Sequence, residues 1–151
     1  MPLTRTELLR DYVNVREYGA KGDGVTNDTT AFQTAINTGK EVYVPSGTYI
    51  VNNLKPKIDR AYLSLFGEPG LATLKGAGTQ GDVGIAVVND SAVTAADGRL
   101  FLRDIIFDNF TYCVHYYEVF TRTHEAEITN CIFKNSQVGI GLRSDNLNRA
   151  V

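Results

Sequence analysis

Val13 and Val15 alternate with polar neighbours in "YVNVREY", a period of two that predicts a short, half-buried strand. The period changes after Asp28. In "TTAFQTAINT" the apolar residues Ala31, Phe32, Ala35 and Ile36 recur every three or four positions, which gathers them on one face of a helix. Asp28 stands where an N-cap accepts from the first orphan amides and complements the helix dipole. Thr30 with Gln33 forms a competing capping box, and Gly39 supplies the stop. "KEVYVPSGTYIV" then reads as strand, Pro-Ser-Gly turn and strand, with Val42, Val44, Ile50 and Val51 as its apolar positions.

The second half of the chain repeats itself. "FLRDIIFDNFTYCVHY" (101–116) aligns without a gap on "EITNCIFKNSQVGIGL" (127–142), each pair 26 positions apart. Leu102 meets Ile128, Asp104 meets Asn130, Ile106 meets Ile132, Phe107 meets Phe133, Asn109 meets Asn135 and Val114 meets Ile140. Apolar, Asn/Asp and turn positions all agree, as they do when the coils of a solenoid stack and bury a continuous core. "YLSLFGEPGLATLKGAG" and "VGIAVVND" read as earlier, less regular coils, with turns at Gly67, Pro69 and Gly70. One helix and no long α/β alternation argue against a doubly wound sheet.

Between the first strand and the helix lies "EYGAKGDGVTNDTTAF", with glycines at 19, 22 and 24. Its G-x-x-G-x-G order matches neither a Walker loop nor a dinucleotide fingerprint. Asp23 and Asp28 would face an incoming anion, where a phosphate site wants amides and positive charge. The loop therefore reads as a strand-to-helix connector. Gly22 and Gly24 take positive φ, and Asp23 bonds its own turn.

"VNVREYGAKGDGVTNDTTAFQTAI" followed by "EVYVPSGTYIV", residues 13 to 51, closely resembles the N-terminal segment of the pectate-lyase-like, right-handed parallel β-helix superfamily. Within it, the phage tailspike and depolymerase group is closest in style. The G-D-G-x-x-x-D helix opening followed by P-x-G-x-Y carries the resemblance. Family members often have a second acidic residue before the helix and a phenylalanine before the first glycine, where this chain has Asn27 and Tyr18. The resemblance implies an all-β chain, a right-handed parallel β-helix with a short N-terminal capping α-helix. That helix lies across the open end of the coils and covers their apolar stack with Ala31, Phe32, Ala35 and Ile36. Residues 1–12 form an N-terminal extension, the capping helix spans about 29–38 and coils run from about 41 within 13–151. "LRSDNLNRAV" follows the second clear coil without a cap. The chain is therefore expected to be the N-terminal portion of a longer protein, truncated at its C-terminus, or one whose end a partner covers.

Composition narrows the function. With 151 residues, 21% of them charged, and a formal net charge of −2, the chain gives little support to nucleic-acid or anionic-membrane binding. No apolar run reaches the 18 or so residues of a transmembrane helix, and "MPLTRTELLR" lacks the apolar core of a signal peptide. Cys113 and Cys131, the two cysteines, make no metal set and read as buried thiols rather than a bridge. No metal or cofactor is expected.

Candidate chemistry centres on Asp104, Asp108 and Glu118, because glycoside hydrolysis needs two carboxylates and a lyase needs a base. Asp104 and Asp108 sit near polar turns, where acids are usually structural, so no catalytic site is assigned. "NFTYCVHYYEVF" is the most aromatic stretch. The repeat points Val114 and Tyr116 into the stack and sends His115 and Tyr117 outward. With Glu118 these could hold a sugar ring, or equally form a contact between subunits.

The resemblance implies a phage tailspike segment in the virion, expected as a homotrimer and adjoining other phage tail proteins. Its full-length form would recognise and degrade host cell-surface polysaccharide, while this segment alone would be inactive. Two alternatives stand beside it: a secreted cellular pectate-lyase-like or polygalacturonase-like enzyme, and a purely structural module attaching a spike or fibre to its base.

Overall fold

In the computed structural model the described residues are 11–56, 62–88, 98–117 and 124–143. Among them, thirteen short strands and one α-helix wind into a right-handed parallel β-helix. The first sheet stacks β1 (Tyr12–Asn14), β3 (Glu41–Val44), β5 (Tyr62–Gly67), β8 (Gly98–Arg103) and β11 (His124–Thr129). The second stacks β2 (Asp23–Asn27), β4 (Gly47–Ile50), β6 (Ala72–Lys75), β9 (Ile106–Asp108) and β12 (Ile132–Lys134). The third stacks β7 (Val83–Val88), β10 (Tyr112–Tyr117) and β13 (Val138–Arg143). The pairings between these strands are parallel.

The 26-residue repeat is the register of the sheets. Leu102 pairs with Ile128, Ile106 with Ile132, Phe107 with Phe133 and Val114 with Ile140. The core consists of side-chain columns running along the axis. One is Val13, Val42, Leu65, Leu102 and Ile128; another is Tyr49, Leu74, Phe107 and Phe133. Leu65, Leu74, Leu102 and Phe107 are all buried, and each such side chain contributes about 1.5–3 kcal/mol of transfer free energy. Sharp corners separate the sheets. Asp104 and Asn130 occupy one corner with φ of 58° and 52°, and Asn109 and Asn135 the next with 64° and 50°. Left-handed backbone is strained for most residues and tolerated by Asn and Asp, which explains the Asn/Asp agreement in the repeat.

Helix α1 (Thr29–Asn37) buries Phe32, Ala35 and Ile36 against the core that the coils share, with Ala31 half-buried. The Phe32 ring meets Tyr49 edge-on at 5.3 Å. Gly39, at φ 76°, donates to the Ile36 carbonyl as the helix ends.

Four local expectations are corrected. The first strand stops at Asn14, whose side chain accepts from the Arg16 amide at 3.0 Å and starts a 3-10 turn over Val15–Tyr18. In β4 Tyr49, rather than Ile50, points inward, because alternation from Val51 selects it. Gln33 makes no capping box; its amide bridges the Lys55 backbone instead. Asp28 occupies the N-cap position but makes no side-chain cap bond. Its buried carboxylate accepts from the Lys21 amide at 2.8 Å and the Gly22 amide at 3.1 Å. Asn27 takes the capping role, accepting from Thr29 at 3.0 Å.

Candidate functional site

Inward columns leave the alternate residues of each strand on the outside. On the outer face of the first sheet these form one concave site, lined by Glu41, Ser64, Phe66, Phe101, Arg103 and Glu127, among others. Its volume is about 130 Å³. At roughly 30 Å³ per water molecule it displaces about four waters, well below the 300–1,000 Å³ of pockets that swallow a whole ligand. It is an open groove, too small to enclose a whole ligand.

Register places each side chain. Ser64 pairs with Phe101, Phe101 with Glu127, and Phe66 with Arg103. The short Ser64 side chain, 3% exposed, makes the floor, and its hydroxyl donates to Glu41 Oε1 at 3.1 Å. Phe66 and Phe101 are the apolar walls. The Arg103 guanidinium lies 5.4 Å over the Phe66 ring, with its Nε 3.5 Å from Asp104 Oδ2. On the far rim the Thr129 hydroxyl donates to Glu127 Oε1 at 3.5 Å. Tyr12 and Tyr43 continue the aromatic surface past Phe66, at ring distances of 5.4 and 5.2 Å. Aromatic faces attract the weakly positive C–H groups of a flat-lying ring, while carboxylates and a guanidinium supply acceptors and donors for its hydroxyls.

The two rim carboxylates come from well-separated strands. Glu41 and Glu127 lie on β3 and β11, three strand intervals apart, or about 14 Å between backbones at 4.7–4.9 Å per interval.

Two of the acids expected from sequence, Asp104 and Asp108, lie outside this groove. Asp104 sits at a left-handed corner beside Arg103. Asp108, half-buried at the end of β9, accepts from Asn135 Nδ2 at 2.8 Å and lies 3.7 Å from Lys134 Nζ. His115, expected at the surface, is only 6% exposed and stacks on Tyr112 at 4.3 Å and 10°. Gly141, its register partner, leaves space for that stack, since a Cβ there would lie 2.8 Å from the Tyr112 ring. Tyr117 belongs to β10, where Tyr116 pairs with Leu142 as the repeat requires; the Tyr117 side chain and Glu118 lie outside the described residues. Sequence reasoning misses the groove residues, although one signal for them exists. Phe101 is an outward position of a regular coil, where a polar residue is the norm.

The glycine loop is self-satisfied. Asp28 consumes the Lys21 and Gly22 amides, and Asp23 accepts from the Val25 and Thr26 amides and the Thr26 hydroxyl. Those bonds, led by the Thr26 amide, hold the Asp23 carboxyl down at about 2. Burial pushes the Cys113 and Cys131 thiols up, and both are free.

Residues 12–114 match the family described as rhamnogalacturonase A/epimerase, pectate lyase-like. A glucan 1,3-beta-glucosidase of Cochliobolus carbonum is 38% identical over a stretch covering 69% of this chain and 16% of that protein. The tail spike protein of an Escherichia phage is 40% identical, covering 40% of this chain and 7% of its own. The solved structure of ORF18 of Geobacillus virus E2 superposes with a TM-score of 0.58 at 32% identity, covering 72% of this chain and 23% of that one. The chain thus spans less than a quarter of each of these proteins.

Proposed function

The chain belongs to the rhamnogalacturonase A/epimerase, pectate-lyase-like family, and from that premise we propose that it is the N-terminal β-helical segment of a phage tailspike-type appendage that recognises host surface polysaccharide. Similarity to a phage tail spike protein and to a virus structure supports the virion setting. The observation that carries recognition is the outward groove, in which Phe66 and Phe101 flank Ser64 between the carboxylates of Glu41 and Glu127. Degradation is a property of the full-length protein in this reading, and the part played by this groove is recognition. Calorimetric titration of this chain with polysaccharide from a susceptible host tests the reading. Millimolar or tighter binding, lost in Phe101→Ala, is expected; binding unchanged in that variant refutes it. The full-length protein is a homotrimer in this reading, and a monomer mass by light scattering at micromolar concentration counts against it.

The likeness to a fungal glucan 1,3-beta-glucosidase favours a second reading, a cellular glycan-degrading enzyme. The two separate on the neighbouring genes: virion structural genes support the appendage, and an isolated gene in a cellular genome supports the enzyme.

A further inference from the structure

Resting on the groove as a glycan site, we propose that it takes a neutral hexose unit and discriminates against a uronate. Three carboxylates stand at or beside the groove: Glu41, Glu127 and, past the rim, Asp104. Among the groove's lining residues one cation faces them, Arg103, and its guanidinium is already shared between Asp104 and the Phe66 ring. Arg99 and Glu125 lie further along β8 and β11 and pair with each other at 3.5 Å, so they add no net charge. Recognition of a uronate carboxylate calls for an uncommitted, forked guanidinium. Here a ligand carboxylate would instead meet two exposed carboxylates at close range, a repulsion that salt screens.

The same groups suit a neutral ring. Carboxylate oxygens accept only, so Glu41 and Glu127 accept hydrogen bonds from hydroxyls at the two ends of one sugar unit. Glu41 is oriented for this by Ser64, whose hydroxyl donates to its Oε1. Phe101 is the stacking platform: its ring neighbour Tyr62 stands 6.1 Å away, whereas Arg103 lies over the Phe66 ring and Tyr12 and Tyr43 pack against it at 5.4 and 5.2 Å. The volume of about 130 Å³ is on the scale of one ring of a chain laid across the sheet, so affinity for a single unit is weak.

The experiment titrates the chain with laminarihexaose and with hexagalacturonic acid at 0.05 and 0.5 M salt. The neutral hexamer is expected to bind at least tenfold tighter at low salt. High salt, which shortens the Debye length from above 10 Å to about 4 Å, narrows the gap. Glu41→Gln/Glu127→Gln keeps the fold, because both residues are exposed, and narrows the gap at low salt too. Equal or tighter binding of the acidic hexamer, lost in Phe101→Ala, overturns the neutral assignment while leaving the groove intact. Binding of either hexamer that survives Phe101→Ala, or no binding of either, overturns the groove itself and the assignment with it.

Discussion

Replacing Asp28 by alanine separates two accounts of the acid that opens the helix. If Asp28 were an ordinary N-cap, its loss would cost about 0.5–2 kcal/mol and would fray the first helical turn. The structure assigns it a different task. Its carboxylate, 2% exposed, closes a loop by accepting from Lys21 and Gly22 at 2.8 and 3.1 Å. Hydrogen bonds to a charged acceptor are worth about 1.5–3 kcal/mol each, and the two share one group, so Asp28→Ala should cost about 2–4 kcal/mol. For a chain of this length that is a fall in Tm of roughly 4–16 °C.

Asp28→Asn keeps one acceptor oxygen and should cost about half as much. Asn27→Ala, which removes the exposed bond to the Thr29 amide, should cost about 0.5–1 kcal/mol. Urea unfolding gives the three free energies, and amide exchange says where the damage falls. Protection should drop at Lys21 and Gly22 in Asp28→Ala, and at Thr29 in Asn27→Ala. An Asp28→Ala cost no larger than that of Asn27→Ala, with exchange rising in the helix first, would refute the loop-closing role.

Gly22→Ala should destabilise more than Gly19→Ala: both have positive φ, but only a Cβ at position 22 would strike the Tyr49 ring, at 2.7 Å, and thermal melts rank the two. At the corners, Asp104→Gly should leave stability within about 1 kcal/mol while Asp104→Val should lose at least 1–2 kcal/mol, because the backbone there is left-handed; chemical denaturation measures both. Asp23 is held at about 2 against an ordinary 3.8. Its folded-state pKa is depressed, so its stabilising contribution is complete above about pH 4 and disappears as pH falls through about 2. Thr26→Val should raise that pKa by removing one donor, as carboxyl NMR titration would show.

The parts of this fold legible in the sequence are those fixed by short-range period. The helix face of Phe32, Ala35 and Ile36 follows from 3.6-residue spacing, and the last two coils align at 26 residues because no insertion separates them. The corner residues Asp104, Asn109, Asn130 and Asn135 are visible for the same reason. Asp28 reads as a cap because its actual partners lie six and seven residues upstream, reached only when the loop doubles back. His115 reads as exposed because strand alternation says which way a residue points but not what covers it, here Tyr112 lying across Gly141. The groove is illegible because it joins β3, β5, β8 and β11. Leu65 pairs with Val42 and with Leu102, offsets of 23 and 37 residues that no constant period relates.

That irregular spacing also separates the acids that hold the fold from those free to act. In a solenoid, inward columns supply the burial and corner residues supply the turns, so an acid in either place has its geometry set by folding. Asp104 and Asp108 are of this kind: one keeps a left-handed corner, the other ties β9 to Lys134 and Asn135 in the next coil. Glu41 and Glu127 stand on the outward face, exposed, where neither the columns nor the corners require a carboxylate. Their placement on the two ends of an aromatic-walled groove is the arrangement a polar ring ligand would use. They come from strands three intervals apart, about 14 Å between backbones, so both can flank a ligand laid across the sheet.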